Sequence, residues 1–183
     1  MPFRFRRPNL DDAARLLAWR TRPEITRFMV TDLEPDLERQ QQWLQHCAAC
    51  KDYEHFLIYL EDEAVGYLSY SEIDRTHRHC SSGSYLISGT KTRLMAGFLY
   101  PFILDYAFFR LDMHKILNTF LEGNDKVIAI QEQIGFRRVG VQRQHVWKYQ
   151  RWHDLWLFEM LREEWEQRPP LFPRSHTLAA FED

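Results

Sequence analysis

Gly123-Asn124-Asp125-Lys126-Val127-Ile128-Ala129, followed by Ile134-Gly135-Phe136, is the stretch on which the reading of this chain turns. Asn124 is an N-cap residue, Gly135 suits the position just past a helix, and the residues between them, through about Gln133, form the helix they bracket. Residues 114–121 ahead of it read as one strand and residues 136–141 behind it as another. A strand, a capped helix and a strand in so short a span argue for an α/β fold.

Upstream, residues 94–110 carry Phe98, Leu99, Phe102, Ile103, Tyr106 and Ala107, which predicts a helix buried on more than one side. The basic turn Lys91-Thr92-Arg93 leads into it from a strand at residues 84–88. Residues 74–82, polar and rich in His and Arg, read as a surface loop. Residues 55–60 and 64–70 flank the acidic turn Glu61-Asp62-Glu63 as an antiparallel hairpin. Pro35 and Asp36 open a helix that runs through Leu37, Trp43, Leu44 and Cys47 to about Cys50. At the start, Phe3 and Phe5 alternate with Arg4 and Arg6 as a strand, and Asn9 caps a helix to about Arg20. A short helical turn then places Ile25, Phe28 and Met29 inward. Residues 155–161 supply a last strand. Residues 1–168 are expected to form one domain, with residues 169–183, charged and Pro-containing, as a loose tail. Trp147, Trp152, Trp156 and Trp165 are expected to fill the far face of the sheet, a homodimer seam being the other reading.

With 183 residues, 45% of them hydrophobic, the chain can bury one sizeable core. Its 24 basic and 26 acidic residues leave a net charge of -2, which provides no general attraction for nucleic acid or an anionic membrane. No run approaches the ~20 apolar residues of a membrane span, and the first residues lack the apolar core of a secretory signal, so a cytoplasmic location is expected. Three cysteines, Cys47, Cys50 and Cys80, are an odd and sparse set, best read as reduced thiols. Cys47 and Cys50 have CxxC spacing but no second pair, and no metal is expected.

The order of elements and the run from Gly123 to Phe136 resemble the GNAT N-acetyltransferase superfamily. Ala18-Trp19-Arg20 with Pro23 and Phe28-Met29, then Ser84-Tyr85-Leu86, then Leu104-Asp105-Tyr106-Ala107-Phe108, are similar to the N-acetyltransferases of the pseudaminic acid pathway. The resemblance spans roughly residues 3–160. It implies a mixed, mostly antiparallel sheet of about seven strands with about four helices. It also implies acetyl-CoA as donor and, as acceptor, the amine of a UDP-linked 4-amino-4,6-dideoxy sugar.

A strand that ends at a helix N-terminus presents free N–H groups and a positive dipole end to a diphosphate. The resemblance puts this donor site at Leu86, Ile87 and Ser88, then at Lys91, Thr92, Arg93, Leu94, Met95 and Ala96. Leu94 stands where relatives carry a Gly. Lys91 and Arg93 also read as a solvated pair at a helix start. Asn124 and Val127 match the pantetheine contacts, although Asn124 is also an ordinary N-cap. Arg20, Met29, Gln40, Trp43 and Tyr85 match positions that line the acceptor pocket in the relatives. Arg20 suits a diphosphate and equally a helix C-terminus, and Trp43 at helical spacing also reads as core.

Amide formation from a thioester needs a neutral amine, a held oxyanion and a protonated leaving thiolate. A strand N–H near residues 86–88 is the expected oxyanion donor. Relatives place a Tyr where this chain has Gln131, and a Glu where it has Thr119. Substitutes are Tyr85 and Glu122, and more remotely His145. Acylation of another amine, such as a protein N-terminus or an antibiotic, and a non-catalytic GNAT-fold binding protein are the competing readings.

Overall fold

Phe3 and Phe5 alternate with arginines along strand β1 (Phe3–Arg6), and both rings are buried on one face of the sheet. The computed structural model describes residues 3–87, 89 and 95–182. Among these, β1 leads through a 3-10 turn (Leu10–Asp12) to helices α1 (Ala13–Arg20), α2 (Pro23–Thr26) and α3 (Leu37–Ala49). Strands β2 (Glu54–Leu60), β3 (Glu63–Asp74) and β4 (His79–Leu86) follow, then α4 (Tyr100–Asp105) and β5 (Lys115–Leu121). Helix α5 (Asp125–Ile134), strands β6 (Arg137–Lys148) and β7 (Arg151–Leu161), and helices α6 (Arg162–Glu166) and α7 (Arg174–Ala179) complete the order. The described strands form one seven-stranded sheet in the order β1-β2-β3-β4-β5-β7-β6. All its pairings are antiparallel except that of β4 with β5. This is the expected mixed α/β architecture, with seven α-helices among the described residues where about four were expected.

Local chemistry sets the element ends. The Asn9 side chain accepts from the Asp11 N–H (2.9 Å) while the Asp12 carboxylate accepts from the Asn9 N–H (3.0 Å), a reciprocal cap. Pro23 opens α2, where its missing N–H costs nothing. Asp36 accepts from the Arg39 N–H (3.0 Å) at the start of α3. Gly135 closes α5 in the left-handed conformation at φ 106°, where a side chain would be strained.

Period-two alternation covers both faces of the sheet. Leu57 and Tyr67 meet Ala13, Leu16, Trp19 and Leu44 of α1 and α3. Phe56, Ile58 and Leu68 join Phe102, Ile103 and Ile128 on the other face, in the larger core. A half-buried strand of this kind reads as alternation because its side chains point in turn to each layer.

Four expectations are corrected here. Residues 74–82 are not one surface loop: β3 runs to Asp74 and β4 starts at His79, leaving only a short turn. The single long helix at 94–110 is instead a 3-10 turn at Ala96–Phe98, α4, and a π-turn at Tyr106–Arg110. Pro101 explains the restart, since it is tolerated only in a first turn. Strands β6 and β7 are longer than expected because Tyr149 and Gln150, at φ 50° and 60°, form a two-residue hairpin turn without Gly or Asn. Trp147 and Trp152, stacked edge to face on that hairpin at 5.2 Å, are exposed rather than packed under the sheet.

The last residues are not loose either. Thr177, fully buried in α7, donates to the Asp105 carboxylate, and the Trp165 indole donates to the same group (2.8 Å). Phe181 stacks on Phe5 with centroids 4.2 Å apart. The Phe5 N–H donates to the Ala180 carbonyl (2.8 Å) and the Glu182 N–H to the Phe5 carbonyl (2.8 Å), extending the sheet beyond β1. Phe181→Ala is expected to lower stability by about 2 kcal/mol and Tm by roughly 4–8 °C, less than for a fully buried ring. Thermal unfolding followed by circular dichroism checks this, and a shift below about 1 °C would show that the tail does not stabilise the domain.

Candidate active site

Strands β4 and β5 run together for only two residue pairs, His79 with Lys115 and Cys80 with Ile116. Beyond them the strands part, and the peptide groups at the fork need other partners. Asn118, buried on β5, supplies one: its Oδ1 accepts from the Ser82 N–H (2.8 Å) and the Ser82 hydroxyl (3.2 Å). Successive peptide groups of a strand point to opposite sides. The N–H groups of Ser84 and Leu86 therefore face the same opening as that of Ser82, while the Ile87 N–H donates the other way, to Val65 (2.7 Å).

The opening leads into a cavity of about 600 Å³. At one end its wall includes Arg20, Met29, Gln40, Trp43 and Tyr85, all five of the expected acceptor residues. Asn124, Val127, Thr119 and Gln131 line the other end. Asn124 makes no capping bond with its side chain, so its amide belongs to the cavity rather than to the helix end. Gln131 is buried, and its Oε1 has no hydrogen-bond partner among the described residues. Leaving such an acceptor unmade costs about 1–3 kcal/mol, so the group is poised for a ligand N–H.

Two side chains overlooked in the sequence complete the walls. Tyr100, at the start of α4, lines the cavity and accepts from the Gln131 Nε2–H (3.3 Å). Burial raises its pKa, and the Gln131 contact opposes that rise. Lys148, at the tip of β6, is buried and donates to the carbonyls of Thr26 (2.7 Å) and Met29 (2.8 Å). It also pairs with Asp32 at 2.7 Å. From the other side Arg20 donates to the Thr31 carbonyl (2.7 Å) and to Thr26 Oγ1 (3.3 Å). Two cations thus fix the segment 26–32 that walls the cavity. Lys148 lies more than a hundred residues from this segment, and no local pattern announces the contact.

Glu122 and His145 lie elsewhere. Glu122 is outside the cavity lining; it accepts from Arg151 (2.5 Å) and from the Asp154 N–H (3.2 Å), with His153 Nδ1 3.1 Å away. The Asp154 N–H and then Arg151 hold it below the usual carboxylate range, the wrong direction for a base. His145 is exposed on β6. Leu86 and Met95 pack on the larger core, Ile87 packs on the smaller one, and Ala96 starts the 3-10 turn. Ser88, Lys91, Thr92, Arg93 and Leu94 lie outside the described residues.

Beneath Trp43, the Tyr53 and Tyr67 hydroxyls are 2.8 Å apart, and Tyr67 Oη is 3.0 Å from His55 Nδ1. Burial, helped by the charge of Arg7, lowers the His55 pKa from 6.5 to about 4. Between these values the unfolded chain takes up a proton that the folded chain refuses. Stability is therefore full above about pH 6.5 and falls by up to roughly 3 kcal/mol as the pH drops to about 4. Urea midpoints across that range check this, and His55→Asn is expected to flatten the slope.

Residues 5–157 match the acetyltransferase (GNAT) domain family. A Bacillus subtilis (strain 168) protein, YdaF, named as a candidate ribosomal N-acetyltransferase, is 25% identical over 124 residues, covering 68% of this chain and 67% of that protein. The crystal structure of a Vibrio cholerae spermidine N-acetyltransferase in complex with CoA and spermine superposes with a TM-score of 0.85 at 17% identity. That match covers 91% of this chain and 99% of the other. A dodecameric structure of a spermidine N-acetyltransferase from the same organism gives 0.78 at 17% identity, over 91% and 98% of the two chains. At these identities the structural matches speak for the fold, and the family match speaks for the chemistry: the chain belongs to the GNAT acetyltransferases and is an acetyl-CoA-dependent N-acetyltransferase.

Proposed function

We propose that the protein acetylates a small amine carrying a further positive charge, of the polyamine class, in the cytoplasm. The carrying observation is the charge of the acceptor end. Asp32, Glu34 and Asp36 line it with Arg20 and Arg39; Asp32 is paired with Lys148 and Arg20 is engaged with Thr26 and Thr31, which leaves Glu34 and Asp36 beside Arg39. Trp43, Tyr53, Tyr67 and Tyr85 give this acidic lip an aromatic floor that suits a cation. The polyamine acceptor of the Vibrio cholerae relative is consistent with that chemistry. A UDP-linked 4-amino-4,6-dideoxy sugar, which the resemblance implies, instead needs a cationic cradle for two phosphates. The described lining offers it Arg39 and an arginine already engaged, beside Glu34, Asp36 and an Asp32 paired with Lys148.

The residues at the opposite end fit the pantetheine arm of acetyl-CoA: the Asn124 amide is free of capping, and the Gln131 carbonyl oxygen lacks a donor among the described residues. Bound there, the donor supplies a thioester carbonyl. The amine nitrogen forms a bond to that carbon, the carbon–sulfur bond breaks, and the amine's surplus proton leaves with water. The N–H groups of Ser84 or Leu86, on the open side of β4, hold the oxyanion. Tyr100 gives its proton to the departing sulfur and regains one from the water that took the amine's surplus proton. It stands beside Gln131, which occupies the place of the relatives' tyrosine and donates to the Tyr100 oxygen, leaving that hydroxyl's proton to point elsewhere.

Incubation with acetyl-CoA and a panel of polyamines, N-terminal peptides and UDP-amino sugars, with mass detection, is expected to give acetylated polyamine. Product from the UDP sugars alone would overturn the acceptor reading. Tyr100→Phe is expected to lower kcat about 100-fold with little change in KM. Adding Gln131→Tyr to that variant is expected to restore much of the activity, and an unimpaired Tyr100→Phe enzyme would remove Tyr100 from the mechanism.

A further inference from the structure

Three polar side chains stand in line under the acceptor end of the cavity, on the sheet face covered by α1 and α3. Tyr53 precedes β2, His55 lies on β2, and Tyr67 on β3, opposite Leu57. The distances along the line are 2.8 Å from Tyr53 Oη to Tyr67 Oη and 3.0 Å from Tyr67 Oη to His55 Nδ1. Tyr67 and His55 are buried, yet Tyr53, Tyr67 and Ser69 all contribute to the cavity wall. Trp43 packs edge-on against both Tyr53 (6.1 Å) and His55 (5.4 Å), clamping the ends of the line. Fold stability does not require this arrangement, since apolar rings of similar shape would pack there without desolvating three polar groups.

We infer that Tyr53, Tyr67 and His55 form a directed hydrogen-bond chain that positions the acceptor amine for attack, Tyr53 touching the amine and the other two orienting Tyr53. The inference rests on the amine reading above. A neutral imidazole has one accepting and one donating nitrogen. With Nδ1 accepting, Tyr67 donates to His55 and Tyr53 donates to Tyr67, so the lone pairs of Tyr53 Oη are what remain for the cavity. An oxygen in that state accepts an amine N–H and leaves the nitrogen lone pair free to face the acyl carbon. The opposite tautomer would send a phenolic O–H toward the nitrogen lone pair and hold it back from reaction.

The chain orients and does not serve as the base. Burial raises the Tyr53 pKa and drives that of Tyr67 well above its usual value, while His55 is neutral down to about pH 4. None of the three is a strong proton acceptor near neutrality. Ser69, in contact with Tyr53; Tyr85, stacked on Tyr67; Cys47; and Arg7, whose charge reaches His55, are other polar neighbours of the line.

The test measures kcat and KM for a polyamine, and separately KM for acetyl-CoA, in the full-length enzyme. Tyr53→Phe and Tyr67→Phe are each expected to lower kcat/KM for the amine about tenfold, with KM for acetyl-CoA unchanged. The double variant is expected to lose little more than either single one, because the chain acts as a unit. His55→Asn, which keeps an acceptor near Nδ1, is expected to recover most of what His55→Leu loses. An active enzyme whose Tyr53→Phe variant keeps its amine kcat/KM, or whose two tyrosine losses simply add, would overturn the inference. So would equal activities for His55→Asn and His55→Leu. Should Tyr67→Phe fail to fold, the Tyr53→Phe and His55→Asn measurements still decide the matter. A wild-type enzyme that acetylates only UDP sugars would instead defeat the polyamine reading, an outcome separable from the others because it concerns the unmodified protein.

Discussion

The parting of β4 and β5 is the constraint on which the rest of the molecule depends. Two adjacent parallel strands normally satisfy each other along their whole length; here they do so for two residue pairs and then separate. Separation leaves peptide groups facing a gap, a costly arrangement in a protein interior unless something replaces the lost partners. Asn118 replaces the first of them from the side, and its amide also binds the Ser82 hydroxyl, so the fork is held at one defined place. What lies beyond is a cavity between two layers of helices, with strand N–H groups on one wall and aromatic side chains on the other.

A second constraint keeps that cavity in shape. The segment between α2 and α3 has little regular structure, and its carbonyls find partners in the Lys148 ammonium and the Arg20 guanidinium. A buried ammonium is tolerated only when its donors are used, and Lys148 uses them on two carbonyls and on Asp32. The electrostatic consequence follows directly. Arg20 is engaged with the protein's own backbone, and Lys148 with two carbonyls and Asp32, so Glu34, Asp36 and Arg39 are the other charged side chains along the lip.

The proposed proton donor stands on a different element from the relatives' tyrosine. A tyrosine expected on α5 is a glutamine there, while a tyrosine at the start of α4 reaches the same corner and contacts that glutamine. Nothing in the reading of residues 94–110 singled out Tyr100; Pro101, in the first turn of α4, is the signal that a helix starts there. Glu122 shows the converse: near the right place in sequence, it is held as a carboxylate by Arg151 and the Asp154 N–H on β7.

By itself the sequence determined what short-range physics controls. Period-two alternation in β1, β2 and β3, caps at Asn9, Asp36 and Gly135, and the acidic turn at Glu61, Asp62 and Glu63 are local devices, and the elements they define form close to where they were expected, with β3 beginning at Glu63 and running on to Asp74. The wall residues Arg20, Met29, Gln40, Trp43 and Tyr85 were legible through likeness to a family, since their convergence on one cavity has no local cause. Tertiary structure alone decided the bracing by Lys148, the Tyr53–Tyr67–His55 line, the Tyr100–Gln131 contact and the docking of Phe181 on Phe5. Each joins residues far apart along the chain or on different elements, and such pairs meet only because the sheet order and the fork between β4 and β5 bring them together.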